Sequence, residues 1–285
     1  MLLCDKKSWG TKEMGKLIEK EFHEILRERD IFKYSSMNYL EYKDVESYEI
    51  VLENENIILL YGFNYEAKTY EYHWATNKVE YLIKYLHDKK DFLITFIPHQ
   101  WIYNLEKEGF IIRNAWHDYF MNNLDNIIIC DEYEFLTVDY CDEASQITQM
   151  CKNQSRGFTG QTTEWMKDWI SNKKVLEDND DVRNKAAIIE RNANDKIVGI
   201  LCVATYGYKS EKGPIVWIRE IAVDPSFQNR GIGRRLILKA LSYGKKHNAT
   251  RAFLAADEQN VSAIHLYKSI GFSPSDNESQ IDMLK

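Results

Sequence analysis

Residues 215–256 constrain the fold more than any other stretch. An apolar run at 215–223 stops at Asp224-Pro225, and the loop Gln228-Asn229-Arg230-Gly231-Ile232-Gly233 follows. Residues 232–247 then carry apolar side chains at helical spacing before a second apolar run at 252–256. Ahead of this stretch the pattern predicts a strand at 135–138, helices at 143–153 and 162–171, and strands at 186–190 and 197–206 joined by a turn at 192–195. A helix at 261–270 and a short strand near Ile281 follow it. Antiparallel strands succeeded by strand, helix, strand, helix imply a mixed sheet flanked by helices, an α/β or α+β design.

The loop has the makings of an anion site. Gly231 and Gly233 let a ligand approach the main chain, several backbone N–H groups can aim at one point, and the helix start adds partial positive charge. Arg234 and Arg235 in the first helical turn oppose the helix dipole by roughly 0.3 to 1 kcal/mol each, a penalty that a bound polyanion reverses. A glycine turn with solvated arginines accounts for the same residues, so the loop alone supports only an anion site. No Gly-Lys-Ser/Thr follows, which excludes a Walker loop, and Leu236 stands where the dinucleotide fingerprint requires a further glycine.

Residues 260–272 form a second informative segment: Asn260 at a helix start, Val261, Ile264, Tyr267 and Ile270 on the inward helical side, and the stop Gly271-Phe272. Tyrosine has an ordinary pKa of about 10 and is protonated at neutral pH, so Tyr267 can donate to a departing thiolate. It serves equally as a core residue with a satisfied hydroxyl. Asn260 has a structural role open to it as the helix N-cap.

Together the two segments resemble the GCN5-related N-acetyltransferase (GNAT) family. The likeness rests on the strand Ile218-Arg219-Glu220-Ile221-Ala222-Val223-Asp224-Pro225, the Gln-x-x-Gly-x-Gly loop at 228–233, and Asn260, Ala263, Leu266, Tyr267, Gly271 and Phe272. It spans about 135–285, although before Ile215 only the order of elements matches. The resemblance implies the acyl-CoA N-acyltransferase fold, with a splayed sheet that admits acetyl-CoA, no metal, and direct transfer of the acyl group to a primary amine. It assigns backbone groups of Ile221, Ala222 and Val223 to the pantetheine arm and thioester carbonyl. Gln228, Asn229, Arg230, Gly231, Ile232, Gly233 and Arg234 fall to the pyrophosphate, Asn260 and Ala263 to the pantetheine side, and Tyr267 to protonation of the thiolate. An ammonium acceptor must first lose a proton, and Glu220, acting through a water, is the candidate base; as an exposed strand residue or a partner of Arg219 it has a bland reading too. Phe158 and Trp165, beside Gly157 and Gly160, are expected on the acceptor side as an apolar or cation-binding wall on a mobile loop. A non-catalytic acyl-CoA sensor or assembly module is the alternative to an enzyme.

The first half predicts an amphipathic helix at 10–30 capped by Thr11, strands at 48–52, 56–63 and 70–75, a helix at 77–88, a strand at 92–97, a helix opening at Pro98, and strands near Ile111 and at 116–121. Residues 92–110 repeat the strand, helix, Gly-Phe order of residues 253–272, with Leu105 where Tyr267 lies and no glycine loop before Asn77. The expected organisation is therefore a degenerate GNAT-like domain at 1–125 that binds no CoA, a linker at 122–126, and a catalytic domain at 126–285. Packing, dimerisation (a homodimer) or a wall of the acceptor pocket are the roles left for the first domain.

The net charge of −7 and a sequence pI near 5.6 argue against a nucleic-acid partner, including a tRNA-dependent transferase, because phosphate contacts need a concentrated basic surface. Five scattered cysteines, including Cys4, show neither a disulfide framework nor metal-ligand spacing. The start lacks the basic flank and apolar stretch of a secretory signal, and the longest apolar run, 197–204, is too short for a bilayer. A cytoplasmic location with no membrane partner is the expectation.

Overall fold

The computed structural model describes residues 15–65, 67–130, 132–152, 154–171 and 181–285. It divides into two units, one running to Ala115 and including Gln280–Lys285, the other Trp116–Ser279. In the first lie β1 (Gly15–Lys16), α1 (Glu19–Arg29), β2 (Tyr34–Ser35), α2 (Tyr42–Val45), β3 (Glu49–Glu53), β4 (Ile57–Asn64), β5 (Thr69–Thr76), α3 (Val79–Leu86), β6 (Phe92–Ile97) and α4 (Ile102–Lys107). One strand, β7 (Ile111–Met121), crosses the division. The second unit continues with α5 (Cys141–Met150), α6 (Thr163–Ser171), β8 (Arg183–Arg191), β9 (Ile197–Tyr206), β10 (Ile215–Val223), α7 (Ile232–Lys246), β11 (Arg251–Asp257), α8 (Val261–Ile270) and β12 (Ser273–Pro274). The last strand, β13 (Gln280–Leu284), returns to the first unit.

In the first unit the strand order is β1-β3-β4-β5-β6-β13, antiparallel except for the parallel pair β5/β6. Ile57, Ile58, Leu59 and Leu60 of β4 are all buried: Ile57 and Leu59 join the core that includes α3 and α4 residues, Ile58 and Leu60 the core of α1. A continuous apolar run is what a strand covered on both faces requires. The helix expected from residue 10 starts only at Glu19, because Gly15–Lys16 pair with β3 and the Leu17 amide donates to the Tyr48 carbonyl (2.9 Å). Residues 10–14 of that expectation, with the Thr11 cap, lie outside the described residues, as does Cys4.

The second unit has the order β8-β9-β10-β11-β7, with β12 on β7 and only β10/β11 parallel. Residues 197–205 of β9 are wholly buried. Ile147 and Met166 from α5 and α6 cover one face of the sheet, and Leu236, Ile237 and Leu241 from α7 the other. Gly244 sets how closely α7 rests, since a Cβ there would stand 2.0 Å from Val216 Cγ2. Only Phe135 of the expected strand 135–138 bridges to the sheet, at Ile188; a helical turn begins at Val138. The expected linker at 122–126 lies past the division between units, because β7 is uninterrupted across it. The terminal strand near Ile281 forms, but its partner is β6 of the first unit. No helix among the described residues is long and apolar enough to cross a membrane.

Candidate functional site

Strands β10 and β11 pair at only three positions, Ile215 with Arg251, Val216 with Ala252 and Trp217 with Phe253. Beyond Trp217, β10 stays on β9 as far as Val223, while β11 stays on β7 as far as Asp257. The edges that residues 218–223 and 254–257 turn toward each other therefore have no strand partner. A β-bulge between Ile218 and Glu220, which leaves Arg219 extra, accounts for the parting: bulges bend a strand and increase its twist. The resulting split lies at the C-terminal ends of two parallel strands, where ligands collect in α/β sheets.

The loop after β10 lies at this end. Asp224 turns the chain by accepting from the Ser226 amide (2.8 Å), and Gln228 reaches back to the Val223 carbonyl (3.0 Å). Asn229 (φ 59°) and Gly231 (φ 76°) adopt the left-handed conformation. The first bond of α7 runs from the Arg235 amide to Gly231 O (3.0 Å), and no side chain caps the helix. Among the described residues the backbone N–H groups of 228–234 make no hydrogen bond, leaving a run of donors at the positive end of the helix dipole. The second glycine does different work: a Cβ on Gly233 would lie 3.2 Å from Leu266 Cδ2, so its bareness seats α7 against α8.

The nearby arginines are not equivalent. Arg235 makes two hydrogen bonds to Glu190 Oε2 (3.3 and 3.2 Å), so its conflict with the helix dipole is offset within the protein. Arg234 touches Ser269 Oγ (3.0 Å) at the far end of α8, and Arg230 lies over the Phe227 ring (5.0 Å). Both are exposed beside the loop.

Tyr267 of α8 is 6 % exposed, its ring 6.5 Å from that of Tyr119 and 6.3 Å from that of Phe272. Its hydroxyl makes no hydrogen bond among the described residues. Burial, with the Glu220 carboxylate acting on it, raises its pKa well above the ordinary tyrosine value. Glu220 is itself 6 % exposed and accepts from Gln161 Nε2 (2.8 Å), so it is not the exposed strand residue that its position allowed. Asn260 is the N-cap of α8, its Oδ1 accepting from the Ala263 amide (3.3 Å), which leaves its amide N–H groups unengaged among the described residues.

On the expected acceptor side, the loop after α5 is pinned. Gln161 bonds to Ser145, Thr148 and Gln149, and Arg156 pairs with the fully buried Asp257 at 3.1 Å. Gly160 is required for contact rather than mobility, since a Cβ would come within 2.9 Å of Gln149 Cα and Thr148 O. Phe158 packs against the α5/α6 core. Trp165 stacks on Trp169 (5.3 Å, 12°), and the guanidinium of Arg219 already lies 5.9 Å from its ring, so the protein's own cation takes the place foreseen for a ligand's. Gln161, Arg156 and Asp257 were not indicated by any motif.

Residues 147–272 match the family model described as Acetyltransferase (GNAT) family. Residues 147–272 thus form a GNAT-family domain. An uncharacterized N-acetyltransferase of Methanocaldococcus jannaschii is 41% identical over 80 residues, 28% of this chain and 35% of that protein. A mycothiol acetyltransferase of Thermobispora bispora is 36% identical over 61 residues, 21% of each chain. The alignments thus span about a third and a fifth of these relatives. The fold likeness runs further: a GCN5-related N-acetyltransferase from Sphaerobacter thermophilus superposes with a TM-score of 0.51 over 92% of this chain and 84% of its own, at 12% identity. One from Anabaena variabilis does so with a TM-score of 0.53 over 96% and 72%, at 10% identity.

In the first unit β3-β4-β5-β6 follow the same order and directions as β8-β9-β10-β11. Strands β5 and β6 also pair in parallel at three positions only, Tyr70 with Phe92, Glu71 with Leu93 and Tyr72 with Ile94. Since β4 holds the other edge of β5 along its whole length, β2 must take the edge that faces β6; it pairs Tyr34 with Thr76 and Ser35 with Ala75. The Ser36 amide donates to Trp74 O and the Trp74 amide to Ser36 Oγ, both at 2.9 Å, and the Trp74 indole donates to Thr95 O (3.0 Å). Between β5 and α3 stand only Asn77 and Lys78, in place of the loop at 224–231.

Proposed function

We propose that residues 116–279 transfer an acetyl group from acetyl-CoA directly to a primary amine. The observation that carries this reading is the split between β10 and β11 with the run of unengaged N–H groups at 228–234 beside it, a slot and an anion cradle at the same end of one sheet. A nucleotide pyrophosphate suits the cradle, with Arg230 and Arg234 adding charge, and the pantetheine arm suits the free edge formed by Ile221, Ala222 and Val223, with Asn260 and Ala263 opposite. The amine nitrogen attacks the thioester carbonyl carbon and the C–S bond breaks. Tyr267 gives the departing thiolate its proton, while the proton lost by the amine passes through a water to Glu220. The raised pKa of Tyr267 keeps it in the donor form throughout the neutral range. Sequestration of β5 and β6 by β2 supports the first unit as a degenerate copy that binds no CoA. The free thiols Cys130, Cys141, Cys151 and Cys202 suit a reducing cytosol.

Calorimetry of the full chain with acetyl-CoA, followed by a screen of amines for release of free thiol, tests the proposal. One acetyl-CoA per chain and amine-dependent thiol release are expected. Binding without release from any amine would favour a sensor, and failure of both acetyl-CoA and longer acyl-CoAs to bind would overturn the reading.

A further inference from the structure

The face of the sheet on the α5/α6 side carries a feature that acetyl transfer alone does not use. Paired residues of neighbouring strands share a face, so Trp217, Phe253 and Phe120 form a row across β10, β11 and β7 at the point where β10 and β11 part. The rings of Phe120 and Phe253 lie 5.2 Å apart. Tyr206 extends the aromatic surface behind Trp217, their rings 6.2 Å apart. One step beyond this row, toward the open end of the split, stand Ala255 on β11 and its pair Asp118 on β7.

Asp118 is an unusual side chain for this position. It alternates along β7 with Trp116 and Phe120 on the same face, a carboxylate between two aromatic residues. It is only partly exposed, yet among the described residues its carboxylate has neither a hydrogen bond nor an ion pair, whereas Glu220 has Gln161 and Asp257 has Arg156. Burial raises its pKa, with His117 acting in the opposite sense. Ala255, between Asp118 and the split, is exposed in mid-strand, and its methyl group leaves the way from one to the other open. Strand spacing puts Asp118 one to two strands from the split, roughly 5 to 10 Å.

We propose that Asp118 sets acceptor specificity by holding a second cationic group of the acceptor, so that the preferred substrates are diamines or polyamines whose distal ammonium pairs with Asp118 while the proximal amine meets the thioester in the split. This rests on the acetyl-transfer reading above. Phe120 and Phe253 supply an apolar floor for the alkyl spacer, and their faces favour the approach of a cation, whereas the Trp217 ring already has the Arg219 guanidinium 5.7 Å from it. Asp118 acts on binding and register of the acceptor and takes no part in proton transfer.

The test compares kcat/KM of the full-length protein for α,ω-diamines of increasing length with that for monoamines of the same length. The wild type is expected to favour the diamine by about 10- to 100-fold at one spacer length, the scale of a hydrogen bond to a charged group. Asp118→Asn is expected to bring that ratio close to one, with the affinity for acetyl-CoA measured calorimetrically as the control. Since the carboxylate supports no contact in the fold, Asp118→Asn should melt with the wild type; Asp118→Glu, which keeps the charge on a longer arm, should shift the optimum to a shorter diamine. Equal use of monoamines and diamines by the wild type, or an unchanged ratio in Asp118→Asn, overturns this inference while leaving acetyl transfer standing. Loss of acetyl-CoA binding or of all amine acetylation in the wild type overturns both.

Discussion

Replacing Tyr267 with phenylalanine separates a catalytic hydroxyl from a packing ring. The ring is 6 % exposed and lies near Tyr119 and Phe272, contacts that phenylalanine keeps. The hydroxyl makes no hydrogen bond among the described residues, so its removal forfeits no bonding partner. The hydroxyl oxygen is not among the buried atoms left without a partner, so it carries no burial penalty and the variant should be about as stable as the wild type. Since 1 kcal/mol moves the midpoint of a 150–250-residue domain by about 2–4 °C, a thermal melt resolves this. Turnover should fall instead: general acid catalysis contributes about 10²–10⁴-fold, equivalent to roughly 3–5 kcal/mol of barrier. Affinity for acetyl-CoA should change little, because the proton is needed only as the C–S bond breaks. The assay is kcat from free-thiol release alongside calorimetric affinity and a melt. Undiminished kcat in a normally folded Tyr267→Phe protein would refute the acid assignment. A second readout comes from pH: with its pKa raised above the ordinary value of about 10, Tyr267 imposes no falling limb on the wild-type kcat profile below about pH 10.

Three further perturbations bear on the two units. Gly231→Val forces a β-branched residue into φ 76°, at a cost of about 1–2 kcal/mol; a calorimetric loss of acetyl-CoA affinity of tenfold or more is expected, and unchanged affinity would remove the loop from the cradle. Glu71 in the first unit is 3% exposed; burial alone would raise its pKa, but hydrogen bonds and charge from His73, with hydrogen bonds from Tyr48 and Asn64, bring it below the ordinary value. A lowered folded pKa stabilises above the unfolded value and is lost as pH falls through the folded one. In urea melts Glu71→Gln should thus cost about 1.5–3 kcal/mol near neutrality, and that difference should vanish in acid. Deleting residues 280–285 removes Ile281 (2 % exposed) and Met283 (0 %) from the first unit's core. At about 1.5–3 kcal/mol for each buried side chain the first unit should lose roughly 3–6 kcal/mol, visible as early proteolysis within residues 15–115.

The legible parts of the site were those fixed by backbone chemistry. Gly231 announced a loop with a bare main chain, Asp224-Pro225 a strand end, and Asn260 with Gly271 the two ends of a helix, because each depends on a few neighbouring residues. What stayed hidden depends on partners distant in sequence. Glu190, met across 45 residues, takes Arg235 out of the anion cradle. Gln161 and Glu220 meet across 59 residues, which turns a strand carboxylate that reads as exposed into a buried one. The pattern around Ile281 says strand, but alternation carries no label for which sheet edge a strand will join, and β6 lies far back in the chain.

The contrast between the two units follows from how each treats a parallel pair that separates after three positions. An unpaired strand edge must find partners, and backbone groups left without them inside a protein are costly. In the first unit the chain supplies those partners itself: β2 lies along β5, the Trp74 indole reaches Thr95 O, and only Asn77-Lys78 separate β5 from α3. In the second, residues 224–231 carry the chain away from the edge before α7 begins; β10 and β11 do not pair beyond Trp217, and the amides at 228–234 have no hydrogen-bond partner within the described residues. On the proposed function, the same strand-helix-strand plan would be a closed core when the gap is filled from within and a binding slot when it is left for a ligand. Crowding the strand at the second gap should therefore cost binding: Ala222→Trp, on a β10 residue 4 % exposed and packed in the α5/α6 core, should displace this stretch of β10 and abolish acetyl-CoA binding while the first unit's melting transition stays where it was. Retained acetyl-CoA binding in a folded Ala222→Trp protein would mean that the ligand does not use this edge.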